Sequence, residues 1–312
     1  MSTNYSGDYN SGDDDYPDYE SMSSSTDDTE FLHPYLRKLG RMLWRSGIIK
    51  YGYLNHHSNT RSPKPKNLEE IRAIARRARL MSEFTVEEFD RFENANFDTI
   101  NEPDIIPMVL PFLEGKDLSQ NYGEILFTGL KPFEEEFLPA LPDRFWGAPC
   151  QKLKNIVLRE LSDLIEPEPG CKVISPNFFL EMSSPKGCPS VPEDMAIYHG
   201  GLGERGQIAL RSWRVSNPEL DKMAHTFTST YINGHLTVFS VHAQPPECLS
   251  FHRSAGDTEY HLYKINSYSL LGDADQYKVG VTAFRNLRDY AEEIRNKSIE
   301  IANRRAEEVT YN

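Results

Sequence analysis

Apolar residues recur at helical spacing in the first third of the chain, and capping residues indicate where the helices begin. Asn67 and Glu70 resemble a capping pair that opens a helix. The apolar positions of this helix are Ile71, Ile74, Ala75 and Ala78. A second helix is predicted to begin after Thr85, with Glu88 as its capping partner, and to end before Pro103. Two helices are therefore expected before the long apolar segment that follows.

The middle of the chain changes between strand and helix patterns. The apolar segment 105–113 is interrupted by two prolines, and residues 124–132 are predicted to form a strand with a glycine bulge or turn. Residues 150–165 are predicted to form a helix that a loop at 167–170 ends. The apolar stripe of this helix consists of Leu153, Ile156, Val157, Leu161 and Leu164.

A short aromatic strand is predicted at 175–184, and it carries one carboxylate in a run that is almost free of charge. Because successive residues of a strand point to opposite faces, Phe179, Glu181 and Ser183 share one face. The residues of the other face are Phe178, Leu180 and Met182.

Next to this strand the pattern predicts a helix and then a hairpin. Residues 192–213 have a weak helical pattern, so G-L-G-E-R-G at 201–206 is interpreted as a helix break or a close backbone approach. A dinucleotide-binding loop with that spelling would need a strand directly before it. Residues 226–231 and 236–241 alternate about Asn233-Gly234, which is a strong hairpin signal.

The chain is expected to end on a further strand and a long helix. The strand is predicted at 259–271, and Asp273 with Gln276 caps the final helix. The stripe that this helix is predicted to bury consists of Val279, Ala283, Leu287, Tyr290, Ile294, Ser298 and Ile301. The order of the elements predicts an α/β or α+β fold.

Charge divides the chain into regions. The formal net charge is -13, but residues 1–30 contain nine acidic and no basic residues and are predicted to be a disordered acidic tail. The remainder has 38 acidic and 34 basic residues, a net charge of -4. Residues 31–82 carry a net charge of +10 and are predicted to be a basic, partly helical region. The main domain is predicted at 83–306, followed by a short tail at 307–312.

The basic region presents four arginines on or near its predicted helix, which suits contact with nucleic-acid phosphates. These candidates are Arg72, Arg76, Arg77 and Arg79. Two simpler interpretations stay open, because a solvated helix face or pairing with the acidic tail would require the same residues.

Cysteine usage and hydropathy predict an intracellular protein. The four cysteines have no C-x-x-C spacing, and the N-terminus lacks the features of a secretory signal, so the cytoplasm or nucleus is expected. The longest apolar run has nine residues. A membrane span needs roughly 20, so no residence in the membrane is expected. The histidines show no spacing typical of a zinc site.

Pro142-Asp143 and Glu181 are the candidates for catalytic chemistry. Metal-dependent cleavage of a phosphodiester needs oxygen ligands for Mg²⁺, a positioned water and a cation that stabilises the developing charge. An Asp at one strand end and a Glu-x-Lys on the neighbouring strand meet that need. By themselves, the two residues are equally explained as a turn-forming aspartate and a carboxylate bonded to a backbone amide.

The segments around these residues resemble a known family. From about Glu93 to Ala306 the chain resembles uncharacterised fungal proteins of the PD-(D/E)XK nuclease superfamily, a type of domain also found in fungal spore-killer proteins. The matching segments are P-D-R-F-W-G-A at 142–148, S-P-N-F-F-L-E at 175–181, Y-H-G-G-L-G-E-R-G at 198–206, T-F-T-S-T-Y at 226–231 and A-F-R-N-L-R-D-Y-A at 283–291. The resemblance implies a restriction-endonuclease-like core with a mixed central sheet flanked by helices.

The resemblance also implies roles for individual residues. Asp143 and Glu181 match the carboxylates that bind Mg²⁺, with Glu93 as a third ligand. In that family the strand continues Glu-Ala-Lys and a later helix supplies a Gln, whereas these positions are Ser183 and Met195 here. A neutral hydroxyl cannot supply the fixed positive charge of a lysine, so the site is interpreted as degenerate.

Two hypotheses follow from the sequence. The preferred one is a catalytically impaired member of the superfamily that binds DNA or RNA, or acts as an interaction protein. The alternative is an active Mg²⁺-dependent nuclease that uses Asp143, Glu181 and a relocated cation, Lys186 or Arg205.

Overall fold

The computed structural model describes residues 29–52, 54–55, 60–79, 84–99, 102–115, 121–183, 190–246 and 258–310. Two compact units are recognised, residues 1–39 and residues 40–312. The described part of the first unit is the beginning of a helix. The acidic tail predicted at 1–30 lies almost entirely outside the described residues.

Seven α-helices are described. They are α1 (Thr29–Arg45), α2 (Leu68–Ala75), α3 (Val86–Asp98), α4 (Glu102–Glu114), α5 (Asn155–Ile165), α6 (Ser190–Ser212) and α7 (Ala274–Thr310). A short 3₁₀ helix, Cys150–Lys152, precedes α5. No helix in the described part of the chain is long and apolar enough to cross a membrane.

Nine strands are described: β1 (Ile48–Ile49), β2 (Leu54–Asn55), β3 (Thr60–Arg61), β4 (Asn121–Tyr122), β5 (Arg144–Pro149), β6 (Val173–Ser183), β7 (Ala224–Ile232), β8 (His235–Gln244) and β9 (Glu259–Ser269). A seven-stranded sheet has the order β1-β9-β8-β7-β6-β5-β4, and β2 pairs with β3 separately. In the large sheet β6 is parallel to β7 and β1 to β9, whereas the other pairs are antiparallel. This mixed sheet with flanking helices confirms the predicted α/β class.

Strand β6 lies near the middle of the sheet, and every one of its residues is buried. Phe178, Leu180 and Met182 belong to the core formed with α3, α4 and α7. Glu181 points the other way and contacts His199 of α6. The predicted alternation of the two faces is therefore confirmed, and both faces are covered by helices.

The glycines of α6 allow this helix to lie directly on the sheet. A Cβ on Gly200 would come within 2.6 Å of a methyl group of Val241 in β8. A Cβ on Gly203 would come within 2.8 Å of the Pro176 carbonyl oxygen. The close approach predicted for the G-L-G-E-R-G segment is thus confirmed, whereas the alternative of a helix break is wrong, because α6 continues through the segment.

Several local predictions are confirmed. The Glu88 amide donates to the Thr85 hydroxyl at 3.1 Å and begins α3. Asn233 and Gly234 have φ values of 45° and 77° and form the hairpin turn between β7 and β8. The Gln276 amide donates to the Asp273 carboxylate at 2.8 Å at the start of α7.

Helix α2 begins directly after Asn67, as predicted, but the expected capping bond is not formed, because the Asn67 side chain makes no hydrogen bond to α2. The Asn67 amide instead pairs with the backbone of Ala224 in β7, donating to its carbonyl at 3.0 Å and accepting from its N–H at 2.9 Å. The helix ends at Ala75, so Ala78 lies beyond it. A tertiary contact has replaced the local one.

The predicted strand at 124–132 is also wrong, because these residues have no strand structure. The Gly129 N–H bonds the Pro167 carbonyl at 2.8 Å, and the Lys131 N–H bonds the Asp163 carbonyl at 2.7 Å. The segment therefore lies against the C-terminal end of α5, and its backbone N–H groups bond to carbonyl groups there and not to a neighbouring strand.

Helical structure continues through both prolines of the 105–113 segment, which lies within α4. The carbonyl groups at its C-terminal end accept from two buried arginines of α7. Arg285 donates to the carbonyls of Phe112 and Leu113, and Arg288 donates to that of Glu114. Positive charge at a helix C-terminus is stabilising. Val279, expected on the buried stripe of α7, is exposed.

Parts of the basic region 31–82 pack against the residues predicted for the main domain. β1 extends the large sheet by pairing with β9. Arg79, just beyond α2, donates to Asp289 of α7 at 2.8 Å. The Asn286 side chain donates to the carbonyls of Ile74 and Arg77 at 3.0 and 2.8 Å.

The close approach of α6 to the sheet gives a prediction for Gly203→Ala. The added methyl would clash with the Pro176 carbonyl and the Phe179 ring, so the free energy of unfolding should fall by about 1–3 kcal/mol. Gly201→Ala is the matched control, because its Cβ would come no closer than 3.3 Å to the Phe133 ring and 3.8 Å to a methyl group of Ile48. Urea unfolding should show little loss for Gly201→Ala, since alanine favours a helix over glycine by about 1 kcal/mol. Equal losses would contradict the packing argument.

Candidate functional site at the ends of β5 and β6

Asp143 and Glu181 lie together where β5 begins and β6 ends. The Asp143 carboxylate accepts a hydrogen bond from the Met182 N–H at 2.6 Å. The Glu181 carboxylate accepts one from the Asp143 N–H. The two strands are adjacent and antiparallel, with Arg144 opposite Leu180. The structure thus places the two acidic residues that the sequence singled out side by side on adjacent strands.

Glu181 has a second partner, His199, which the sequence did not single out. Its Nδ1 lies 2.7 Å from Glu181 Oε1, and the side chains of Glu181 and His199 are only 7% and 1% exposed. Burial raises the pKa of Glu181, and both His199 and the Asp143 amide act in the opposite direction. The carboxylate is therefore held inside the protein by a histidine and a backbone donor.

Ser183 and the candidate replacement cations lie in different places. Ser183 is the last residue of β6 and is buried on the Glu181 face. Lys186 lies outside the described residues. Arg205 does not replace the lysine, because its guanidinium stacks over the Phe133 ring at 4.5 Å and donates to the Lys131 carbonyl.

Glu93 does not join the two carboxylates. Its helix, α3, packs through Phe89 and Phe92 into the core that contains Leu180 and Met182. That core lies on the face of the sheet opposite to Glu181. Among the residues that the structure describes, no group of three or more His, Cys, Asp or Glu side chains is arranged to hold a metal ion.

The four candidate arginines differ in exposure. Arg76 and Arg77 are exposed just after α2. Arg72 forms an ion pair with Glu69 at 2.9 Å. Arg79 forms one with Asp289 at 2.8 Å, and its side chain is only 15% exposed. Arg79 therefore has a structural partner, and Arg76 and Arg77 are the residues best placed to meet an external phosphate.

A second buried histidine lies between two carboxylates on the same side of the sheet, hydrogen-bonded to one and in charge contact with the other. His225 Nδ1 lies 2.8 Å from Glu204 of α6, and its Nε2 lies 3.1 Å from Asp221. Burial lowers the pKa of His225, but the two carboxylates outweigh burial and raise it to about 9. The same contact holds the pKa of Asp221 at about 2, against the effect of burial. The sequence carried no spacing signal for this cluster.

A third group of buried histidines lies on the opposite face of the sheet. His242 of β8 and His261 of β9 have ring centroids 5.5 Å apart. Burial, with His261 as a smaller cause, lowers the pKa of His242 to about 3. His261 Nε2 lies 3.2 Å from Glu259 Oε2. At a pKa of about 3, His242 is neutral at physiological pH.

Comparison with known proteins adds no family assignment. The sequence matches no model of a known protein family, and searches of curated proteins and of solved structures return no match either. The fold and the site are therefore interpreted from their own geometry.

The buried cluster around His225 predicts a pH dependence of stability. A folded-state pKa of about 9 lies above the ordinary value of about 6.5. The stabilisation that protonated His225 gains from its two carboxylates is therefore complete below about pH 6.5 and is lost as the pH rises toward 9. In this window the free energy of unfolding should fall by at most about 1.4 kcal/mol per pH unit.

Urea unfolding at several pH values between 6 and 9.5 measures this dependence. His225→Gln should flatten the curve in that window, whereas His235→Gln, at an exposed histidine of β8, should leave it unchanged. The assignment is wrong if the wild type and His225→Gln lose stability equally as the pH rises.

Proposed function

We propose that this chain is a nuclease-like protein whose metal site has become a buried carboxylate–histidine pair, and that it acts by binding nucleic acid without cleaving it. The observation that carries the proposal is the 2.7 Å contact between Glu181 and His199. Because of this contact, the Glu181 carboxylate, which a nuclease of this type would need as a metal ligand, is already bonded to a histidine.

The arrangement of the strands supports descent from a nuclease site. Asp143 stands at the start of one strand, and Glu181-x-Ser183 stands at the end of its neighbour. This is the placement expected for Asp and Glu-x-Lys in the PD-(D/E)XK superfamily. The mixed sheet with helices on both faces is compatible with the same ancestry.

The local chemistry argues against cleavage. Mg²⁺ prefers octahedral oxygen ligands and usually keeps several waters. The Glu181 side chain is buried and already bonded to His199, and Asp143 Oδ2 accepts a hydrogen bond from the Met182 N–H. Ser183 provides no positive charge. The residues present therefore do not fit a catalytic Mg²⁺ ion.

A binding role is supported by the exposed positive charge after α2. Arg76 and Arg77 are adjacent, exposed and carried on a segment that Asn286 anchors to α7. Anchored cations can contact phosphates with little loss of conformational freedom. We therefore place the nucleic-acid contact, to DNA or RNA, at these two residues.

The absence of cleavage is tested with the purified full chain. Single- and double-stranded DNA and RNA, incubated with Mg²⁺ or Mn²⁺, should remain intact. Ser183→Lys should not create activity, because Glu181 remains bonded to His199. Cleavage by the wild type that Asp143→Ala and Glu181→Ala abolish would overturn the proposal. If Lys186→Ala also abolished that cleavage, an active nuclease with a relocated lysine would be favoured.

Nucleic-acid binding is tested by removing the two exposed charges. Arg76→Gln with Arg77→Gln should weaken binding and reduce the salt slope of log K by about 1.8, or about 0.9 per lost phosphate contact on a duplex. The matched control is Arg91→Gln with Arg304→Gln, which removes two exposed charges elsewhere. Fluorescence anisotropy over a salt series measures both. Equal losses, or no binding by the wild type, would contradict this part of the proposal.

A further inference from the structure

A column of buried polar side chains runs along β8 and β9. Three alternate cross-strand pairs carry it: Ser240 with Tyr263, His242 with His261, and Gln244 with Glu259. Residues two apart in a strand share a face, so the six side chains form one continuous patch. All six are less than 9% exposed.

This column lies on the opposite face of the sheet from Glu181. His242 is directly opposite Ala224 of β7, and Ala224 belongs to the core beneath α7. Val241, the neighbour of His242, points the other way and lies against α6 at Gly200. The column is therefore separate from the carboxylate–histidine pair and does not depend on the function proposed for it.

Unsatisfied nitrogen atoms mark the centre of the column. His242 is 0% exposed, and neither of its ring nitrogens has a hydrogen-bond partner in the described part of the chain. The same holds for Nδ1 of His261. Buried polar atoms normally have partners, and an exception asks for an explanation such as a bound ion.

The chemistry of these nitrogens suits a transition metal. Neutral imidazole is the commonest protein ligand for Zn²⁺ and for related ions such as Co²⁺ and Ni²⁺. A metal-binding histidine typically donates its other ring N–H to a carboxylate, which fixes its tautomer. The contact of His261 Nε2 with Glu259 at 3.2 Å has that form and leaves Nδ1 as the free acceptor.

We propose that His242 and His261 bind a divalent transition-metal ion, represented by Zn²⁺, with Glu259 as the residue that positions His261. The 5.5 Å between the ring centroids fits two imidazoles on one ion, since Zn–N bonds of about 2.0–2.1 Å place ring centres roughly 5–6 Å apart. The rings are inclined by 28°, and a rotation about the soft χ2 torsion turns both nitrogens toward the ion. Gln244 lies two residues along the same face.

Metal binding is measured on the chelator-treated full chain. Titration calorimetry with Zn²⁺ should show one equivalent bound, and Co²⁺ should give visible d–d absorption as an independent probe. His242→Gln and His261→Gln should each lower the Zn²⁺ affinity at least about tenfold. Glu259→Gln should lower it by about 10- to 100-fold, as is typical for a partner of a metal-binding histidine.

The control separates this site from adventitious binding. His56→Gln with His57→Gln removes the adjacent histidine pair of the sequence, which lies outside the described residues, and should leave the affinity unchanged. Loss of binding in this control, with binding retained in His242→Gln and His261→Gln, would overturn the proposal. So would the absence of Zn²⁺ binding by the wild type.

If circular dichroism shows that the variants do not fold, the proposal is tested on the wild type alone. In the folded wild type, Zn²⁺ should raise the midpoint of thermal unfolding, because a ligand that binds only the native state stabilises it. Paramagnetic Co²⁺ should broaden the NMR ring signals of His242 and His261 before those of other histidines. Broadening that begins at other histidines would contradict the assignment.

Discussion

The complete burial of β6 between helices on both faces of the sheet is the constraint on which the rest of this structure depends. A carboxylate cannot remain there without partners, because an unpaired buried charge is strongly disfavoured. Glu181 has two partners, the His199 ring and the Asp143 amide. The geometry of the candidate site follows from this requirement.

The same requirement explains the glycines of α6. A helix that carried larger side chains at Gly200 and Gly203 would stand farther from the sheet, and His199 would not reach Glu181. The close approach also brings Glu204 to His225. The Glu204 carboxylate accepts from the His225 backbone N–H and also contacts Nδ1 of the His225 ring. The helix–sheet packing and the pairing of buried charges therefore depend on each other, since the glycines set the distance between α6 and the sheet across which the ion pairs form.

The two faces of the sheet have different chemistry as a result. On the α6 face the buried histidines His199 and His225 are each paired with a carboxylate, and this pairing offsets part of the cost of removing the charges from water. On the opposite face His242 has no such partner among the described residues and is kept neutral by burial. The proposed binding of nucleic acid uses neither face, because Arg76 and Arg77 lie exposed after α2.

Features that depend on a few neighbouring residues were determined by the sequence itself. The Thr85 cap, the Asn233-Gly234 turn, the two faces of β6 and the helical character of G-L-G-E-R-G all follow from short-range sterics and spacing. The sequence also indicated Asp143 and Glu181 as partners. Only the tertiary structure decided that His199 completes the pair, that Asn67 bonds β7 and that 124–132 is not a strand. These outcomes rest on contacts between distant residues, whose energies have no local pattern in the sequence.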